Sequence, residues 1–180
     1  MRRIYGFFLL VLLVCGVLAS CASPAHGESS QKSARLSGEL PPASGASIEL
    51  MAGQMLMIGF RGISLEASPF VKDIKKYHLG GVILFDRDYN IMLPIRNVIS
   101  KKQLTSLVHG LQEASSYPLF MAVDQEGGNV RRLKSEKGFL PLPSAQEMGK
   151  MPLENTENTA KKLGKELAEI GINLNFAPVV

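Results

Sequence analysis

The sequence predicts an α/β fold in which parallel strands alternate with helices. Two observations carry that prediction. The runs GGVILF and PLFMAV are of strand length and apolar throughout rather than alternating, the pattern of strands covered on both faces. The segments between the strands place apolar residues at helical spacing, and helical crossovers join parallel neighbours. An open doubly wound sheet and a (β/α)8 barrel both fit this order. A dinucleotide site would want G-x-G-x-x-G after the first strand. GFRG in that place does not supply it, and EGGN after the third strand lacks the spacing.

The elements follow in order. Arg2 and Arg3 precede an apolar run from Ile4 to Leu18 and then small residues. This is the layout of a secretory signal, and the run falls short of the ~20 residues a bilayer core requires. Leu18 to Cys21, LASC, resembles the bacterial lipobox, in which the Cys becomes the lipid-bearing N-terminus. The alternative is an ordinary cleavage site with Cys21 left as a free thiol. The expectation is a signal over 1–20, an exported, envelope-located chain anchored to a membrane through Cys21, and a Ser-, Ala-, Pro- and Gly-rich tether over 21–47. His26 in the tether reads as solvated. Cys15 would leave with the signal, so no internal disulfide is available.

From Ile48 the texture changes. IELMAGQMLMIGF reads as a short helix running into a strand around Met55 to Phe60. SPFVKDIKKYHLG puts Phe70, Val71, Ile74 and Tyr77 on one helical face and stops at Gly80, with His78 placed to cap carbonyls. GGVILF is the second strand. KKQLTSLVHGLQEASS carries the stripe Leu104, Leu107, Val108 and Leu111, with His109 off it. PLFMAV is the third strand. NTENTAKKLGKELAEIG repeats a stripe at Ala160, Leu163, Leu167 and Ala168, and INLNFAPVV is the fourth strand.

Charge excludes one class of partner. The chain has 20 Lys and Arg against 16 Asp and Glu. Without Arg2 and Arg3 the balance is 18 to 16, or +2, and the lysines are scattered. That is no footprint for nucleic acid, and with no Trp and few aromatics no base-stacking platform is predicted either.

The chemistry concentrates in MAVDQEGGNVRRLK, residues 121–134. Asp124 ends the third strand, at the edge where parallel α/β folds bind ligands. A carboxylate there can accept two hydroxyl hydrogen bonds. Gly127 and Gly128 permit a tight turn and close approach. Arg131 and Arg132 can fold back with planar forks of donors. Acceptor and donor fork facing one pocket suit a polyhydroxylated ligand such as a sugar; the alternative is an Asp–Arg pair that only pins the loop. Asp124 and Glu126 do not make a convincing acid–base pair, because both approach a sugar from one side while a glycosidase flanks the bond.

GGVILFDRD, AVDQEGGNVRRL, LPSAQEMG and IGINLNFAPVV follow one another in a way that resembles glycoside hydrolase family 3, closest to its β-N-acetylhexosaminidase branch, over roughly Ile48 to Val180. The resemblance implies a (β/α)8 TIM-barrel type fold of which about the first four strands are present. It implies hydrolysis of terminal N-acetylglucosamine from peptidoglycan fragments or chitin oligomers, without a metal or other cofactor. On the family pattern Asp124 and Arg132 contact the sugar, and Arg87 matches a recurrent Arg with a structural role; Glu126, two residues beyond Asp124, is a weaker candidate beside Arg87. Asn129 stands where the family usually has Arg. The family's loop His, its Lys-His pair and its nucleophilic Asp have no counterpart here; His26, His78 and His109 match none of them. No catalytic residue is therefore expected in this chain. Residues 48–180 are about half of the roughly 250 of a typical barrel. The expectation is a truncated N-terminal portion of a longer envelope enzyme, inactive alone; the alternative is a non-catalytic sugar-binding lipoprotein.

Overall fold

The structure is a computed structural model and describes residues 45–66 and 68–179. The predicted signal, Cys21, His26 and nearly all of the tether lie outside the described residues.

Among the described residues, helix α1 (Ile48–Gln54) leads into strand β1 (Met57–Gly59). Helix α2 (Phe70–Tyr77), strand β2 (Gly81–Leu84), helix α3 (Lys101–Ala114) and strand β3 (Phe120–Val123) follow. A hairpin of β4 (Gln125–Gly127) and β5 (Val130–Arg131) comes next, then the short helix α4 (Ala145–Met148), the long helix α5 (Leu153–Ile170) and strand β6 (Leu174–Asn175).

Four strands form one parallel sheet in the order β1-β2-β3-β6. Each strand of this sheet pairs with the next of its members in chain order, the β4–β5 hairpin being inserted between β3 and β6. A doubly wound sheet reverses direction at a switch point, whereas sequential order is what a barrel requires. The register is Met57↔Gly81 and Gly81↔Phe120, with Val123↔Asn175 at the far end.

The core lies between one face of this sheet and the helices. Val82 and Leu84 of β2 and Met121 and Val123 of β3 point into it, against Ile74 of α2, Leu104, Leu107, Val108 and Leu111 of α3, and Leu167 and Ile170 of α5. Side chains alternate along a strand, so Phe120, Ala122 and Asp124 occupy the other face. There Phe120 is 58% exposed. The expectation of strands buried on both faces therefore holds at Ala122, which is fully buried, and fails at Phe120, the exposed first residue of β3.

The helix boundaries have local causes. Ser47 and Ser100 accept from the N–H groups of Leu50 and Gln103 and cap α1 and α3. Ser144 and Glu147 form a reciprocal capping box on α4. His78 closes α2 in the left-handed conformation through its own N–H to Ile74, while its imidazole packs edge-on against Tyr117; the carbonyl-capping role expected of that ring is replaced by a backbone cap. Tyr77 is exposed and Val71 half-buried, so α2 buries Phe70 and Ile74 alone. On α5, Ala160 and Ala168 are exposed and the inward face is Leu163, Glu166, Leu167 and Ile170. The stripe is rotated because buried Glu166 anchors it: the carboxylate accepts from Lys101 Nζ at 3.1 Å and from the Leu140 N–H at 3.2 and 3.1 Å.

Two asparagines finish the sheet where β6 is too short to do so by backbone. Asn173 accepts from the Met121 N–H at 2.8 Å and donates to the Leu119 carbonyl at 3.0 Å. Asn175 accepts from the Gln125 N–H at 3.0 Å. That second clamp fixes the chain immediately after Asp124.

Candidate functional site

Asp124 stands at the C-terminal end of β3, on the face opposite the helices, with its side chain 26% exposed. The next residue explains how the segment beyond it is built. Gln125 is almost fully buried. Its Oε1 accepts the N–H groups of Arg132 and Leu133, each at 2.9 Å, and its Nε2 donates to the Leu133 carbonyl at 3.0 Å. One side chain thus closes the loop that β4 and β5 form and brings Arg132 back over the strand end.

The two glycines make that closure possible. Gly127 (φ 85°) and Gly128 (φ 55°) both sit in the left-handed region, which favours glycine. A Cβ on Gly127 would lie 2.0 Å from the Pro143 carbonyl oxygen. The hairpin is therefore pressed against the 141–144 segment, with no room for a side chain between them.

Arg132 arrives beside Asp124. Its Nη2 donates to Asp124 Oδ2 at 3.0 Å and its Nη1 to the Tyr89 hydroxyl at 3.2 Å. The guanidinium carbon lies 5.6 Å from the Phe85 ring centre and 5.7 Å from that of Tyr89, within cation–π range. Burial works against the charged form, but the Asp124 hydrogen bond and the carboxylates around it outweigh this and raise the Arg132 pKa. Arg132 is thus a fixed cation.

A second carboxylate, which the sequence reading did not single out, stands behind the pair. Asp86 follows β2 as Asp124 follows β3, and it is buried. Lys134 Nζ lies 2.9 Å from its Oδ2, Arg87 Nε 3.5 Å from the same oxygen, and Arg132 Nη1 3.7 Å from its Oδ1. Burial pushes the Asp86 carboxyl up, but the Lys134 hydrogen bond and the charges of Lys134, Arg132 and Arg87 hold it below the usual value.

The predicted residues divide clearly. Asp124 and Arg132 are brought together at the mouth. Arg87 is half-exposed and sits over Tyr89, 5.6 Å from its ring centre, with Asp86 beside it. Glu126 accepts the Val179 N–H at 3.2 and 3.1 Å. Arg131 pairs with Gln125 across the hairpin, and Asn129 at the turn is exposed. Asp86, Gln125, Tyr89 and Lys134 were missed. The signal for Asp86 was available, since a carboxylate ending an apolar strand-length run was the very cue that picked out Asp124. Among the described residues, no group of three or more His, Cys, Asp or Glu side chains is placed to hold a metal ion.

Comparison with known proteins bears on this arrangement. Residues 47–180 match the family model described as glycosyl hydrolase family 3 N terminal domain. The chain is 35% identical over 153 residues to beta-hexosaminidase A of Pseudoalteromonas piscicida, a match covering 72% of this chain and 24% of that protein. Among solved structures it is similar to a glycoside hydrolase family 3 beta-N-acetylglucosaminidase from Paenibacillus sp. str. FPU-7, with a TM-score of 0.64 and 32% identity over 74% of this chain and 24% of that one. It is also similar to NagZ from Neisseria gonorrhoeae in complex with N-trifluoroacetyl-D-glucosamine, with a TM-score of 0.55 and 27% identity over 68% and 35% of the two chains. The chain thus spans about a quarter to a third of the length of these relatives.

Proposed function

The chain belongs to glycosyl hydrolase family 3, and from that membership we propose that Asp124 and Arg132 grip the terminal N-acetylglucosamine unit of a β-linked saccharide. On this reading the chain is the N-terminal portion of a β-N-acetylhexosaminidase of the cell envelope, held at a membrane by a lipid on Cys21. The observation that carries it is the pairing of a strand-end carboxylate with an inward-turned guanidinium at a 3.0 Å contact. Asp124 keeps lone pairs for sugar hydroxyls, and Arg132 is held as a cation whose fork can donate to a hydroxyl or carbonyl oxygen. The relatives' names, beta-hexosaminidase and beta-N-acetylglucosaminidase, support the choice of sugar, as does the glucosamine derivative in the Neisseria complex.

Among the described residues, Asp124 and Arg132 supply an acceptor and a donor for binding. On this reading the chain alone holds sugar and does not hydrolyse it. Saturation-transfer NMR with N-acetylglucosamine tests the grip. Transfer to the sugar protons is expected with the wild-type chain and is lost in Asp124→Asn. Absence of transfer with the wild-type chain, or equal transfer in the variant, would sink the reading. A chromogenic N-acetylglucosaminide incubated with the chain should release no product.

A further inference from the structure

We propose that Asp86 is a positioning residue: it is the second anchor that keeps Arg132 turned into the mouth when a ligand takes over the lone pairs of Asp124. The proposal rests on the sugar-gripping reading for its purpose, but the anchoring itself is a statement about Arg132.

Three features point to it. The first is the asymmetry of the two carboxylates that face Arg132. Asp124 has a quarter of its side chain in solvent, whereas Asp86 has 3%. Attraction at a buried site is less weakened by water than at an exposed one, so Asp86 is the more persistent partner. Asp124 must also give up lone pairs if it is to accept hydroxyl donors, and a guanidinium held only by Asp124 would then be loosened by the ligand it serves.

The second feature is that Asp86 is itself fixed. The Arg96 N–H donates to its carbonyl at 3.1 Å, and the Asn97 N–H to the carbonyl of Phe85 at 2.9 Å. Buried Asn97 returns an acceptor to the Phe85 N–H at 3.0 Å. Further along the same loop, Arg61 pairs with the buried Asp88. Lys134 then pins the Asp86 carboxylate from the far side. The loop after β2 thus presents a carboxylate on a closed frame, while the hairpin delivers Arg132 on a backbone that Gln125 clamps.

The third feature is an unfinished contact. Asp86 Oδ1 and Arg132 Nε are both buried and both lack a hydrogen-bond partner in the protein. They belong to two side chains already within ion-pair distance, 3.7 Å between Nη1 and Oδ1. Full hydrogen bonding needs a closer approach. A guanidinium released by Asp124 can make that approach without leaving the mouth. Charge points the same way. Arg87, Arg132 and Lys134 are three cations around two carboxylates. Without the charge of Asp86, Arg132 and Lys134 would repel with Asp124 alone to hold them.

The side-chain Nε–H resonance of Arg132 in the 15N-labelled full chain, assigned by its loss in Arg132→Lys, reads the anchoring directly. A purely structural role for Asp86 would not move that resonance selectively. In Asp124→Asn the resonance is expected to stay dispersed and sharp, because Asp86 still holds the guanidinium. In Asp86→Asn it is expected to shift to the position of a free arginine and to broaden. An unchanged resonance in Asp86→Asn, or its collapse in Asp124→Asn, overturns the proposal. Where Asp86→Asn does not fold, Asp124→Asn decides alone by the same criterion. If the resonance behaves as expected but N-acetylglucosamine gives no saturation transfer with the wild-type chain, the sugar reading fails and the anchoring stands.

Discussion

Replacing Gln125 with Ala should open the loop that carries Arg132 while leaving the parallel sheet folded. Three hydrogen bonds depend on this side chain: two N–H groups, of Arg132 and Leu133, and the Leu133 carbonyl. Gln125 and Leu133 are each 1% exposed, so water cannot replace the lost partners without the loop moving. An orphaned buried group costs about 1–3 kcal/mol. Taking the low end for each of the three groups gives about 3 kcal/mol. This is a large share of the roughly 5–15 kcal/mol that hold a domain together, and the local loop cannot absorb it. The loss should appear as local opening. Since about 1.4 kcal/mol is a factor of ten, protection of the Leu133 amide against hydrogen exchange should fall about a hundredfold. The Met121 amide, whose partner is Asn173, should change little. Equal loss of protection at both amides would mean that Gln125 supports the whole core and not the loop. A fall of less than about threefold at Leu133 would mean that the three contacts are not what closes it.

Other expectations follow from single contacts. Gly127→Ala places a methyl group 2.0 Å from the Pro143 carbonyl oxygen at a φ of 85°, so it should cost about 2 kcal/mol or more in urea unfolding, and more than Gly138→Ala, which bears the strain of a positive φ (89°) but has nothing within 4 Å; equal costs for the two would mean that the contact with Pro143 adds nothing. The acid limb of stability should contain a contribution from Asp86. Its carboxyl is held below the usual 3.8, so its ion pairs contribute fully above that value and are lost as pH falls through the lower folded value; urea midpoints measured from pH 6 downward should drop less steeply below about pH 4 in Asp86→Asn than in the wild type. Glu166→Ala strips the buried carboxylate from Lys101 and from the Leu140 N–H and should cost roughly 3 kcal/mol, with Glu169, which also reaches Lys101 at 3.5 Å, unable to restore the second contact; a loss below about 1 kcal/mol would refute the anchoring of α5 by Glu166.

How far the sequence was legible depends on which face of an element is considered. The stripe Leu104, Leu107, Val108 and Leu111 was readable because one helix face meets one core and nothing polar interrupts it. The stripe on α5 was misread because Glu166 is buried, and a carboxylate inside a helix face is counted as solvent-facing until its partners Lys101 and Leu140 are known. Those partners are 65 and 26 residues away in sequence. The same distance effect hid the site's support. Asp124 and Arg132 are eight residues apart, and the glycines between them announce the return of the chain. Asp86 reaches Arg132 from the loop after β2, and Asn175 reaches Gln125 across 50 residues. Pairings of that range leave no periodicity in the sequence. The hairpin β4–β5 was likewise unread, because two- and three-residue strands are set by the Gln125 clamp and not by alternation.

The exposed aromatic residues of the sheet and the polar cluster at its C-terminal end obey different physics. Phe120 and Phe176 are 58% and 46% exposed, an apolar surface of the kind a barrel interior covers by adding strands. Covering that surface is a collective matter that requires the whole ring. The mouth is assembled pairwise: Asn175 on Gln125, Gln125 on Arg132, Arg132 on Asp124 and Asp86, Lys134 on Asp86. Every link lies within β6, the segment 124–134 and Asp86 in the loop that follows β2. The Asp124–Arg132 pair, with Arg132 on a loop clamped by Gln125, holds its geometry through contacts within the described residues.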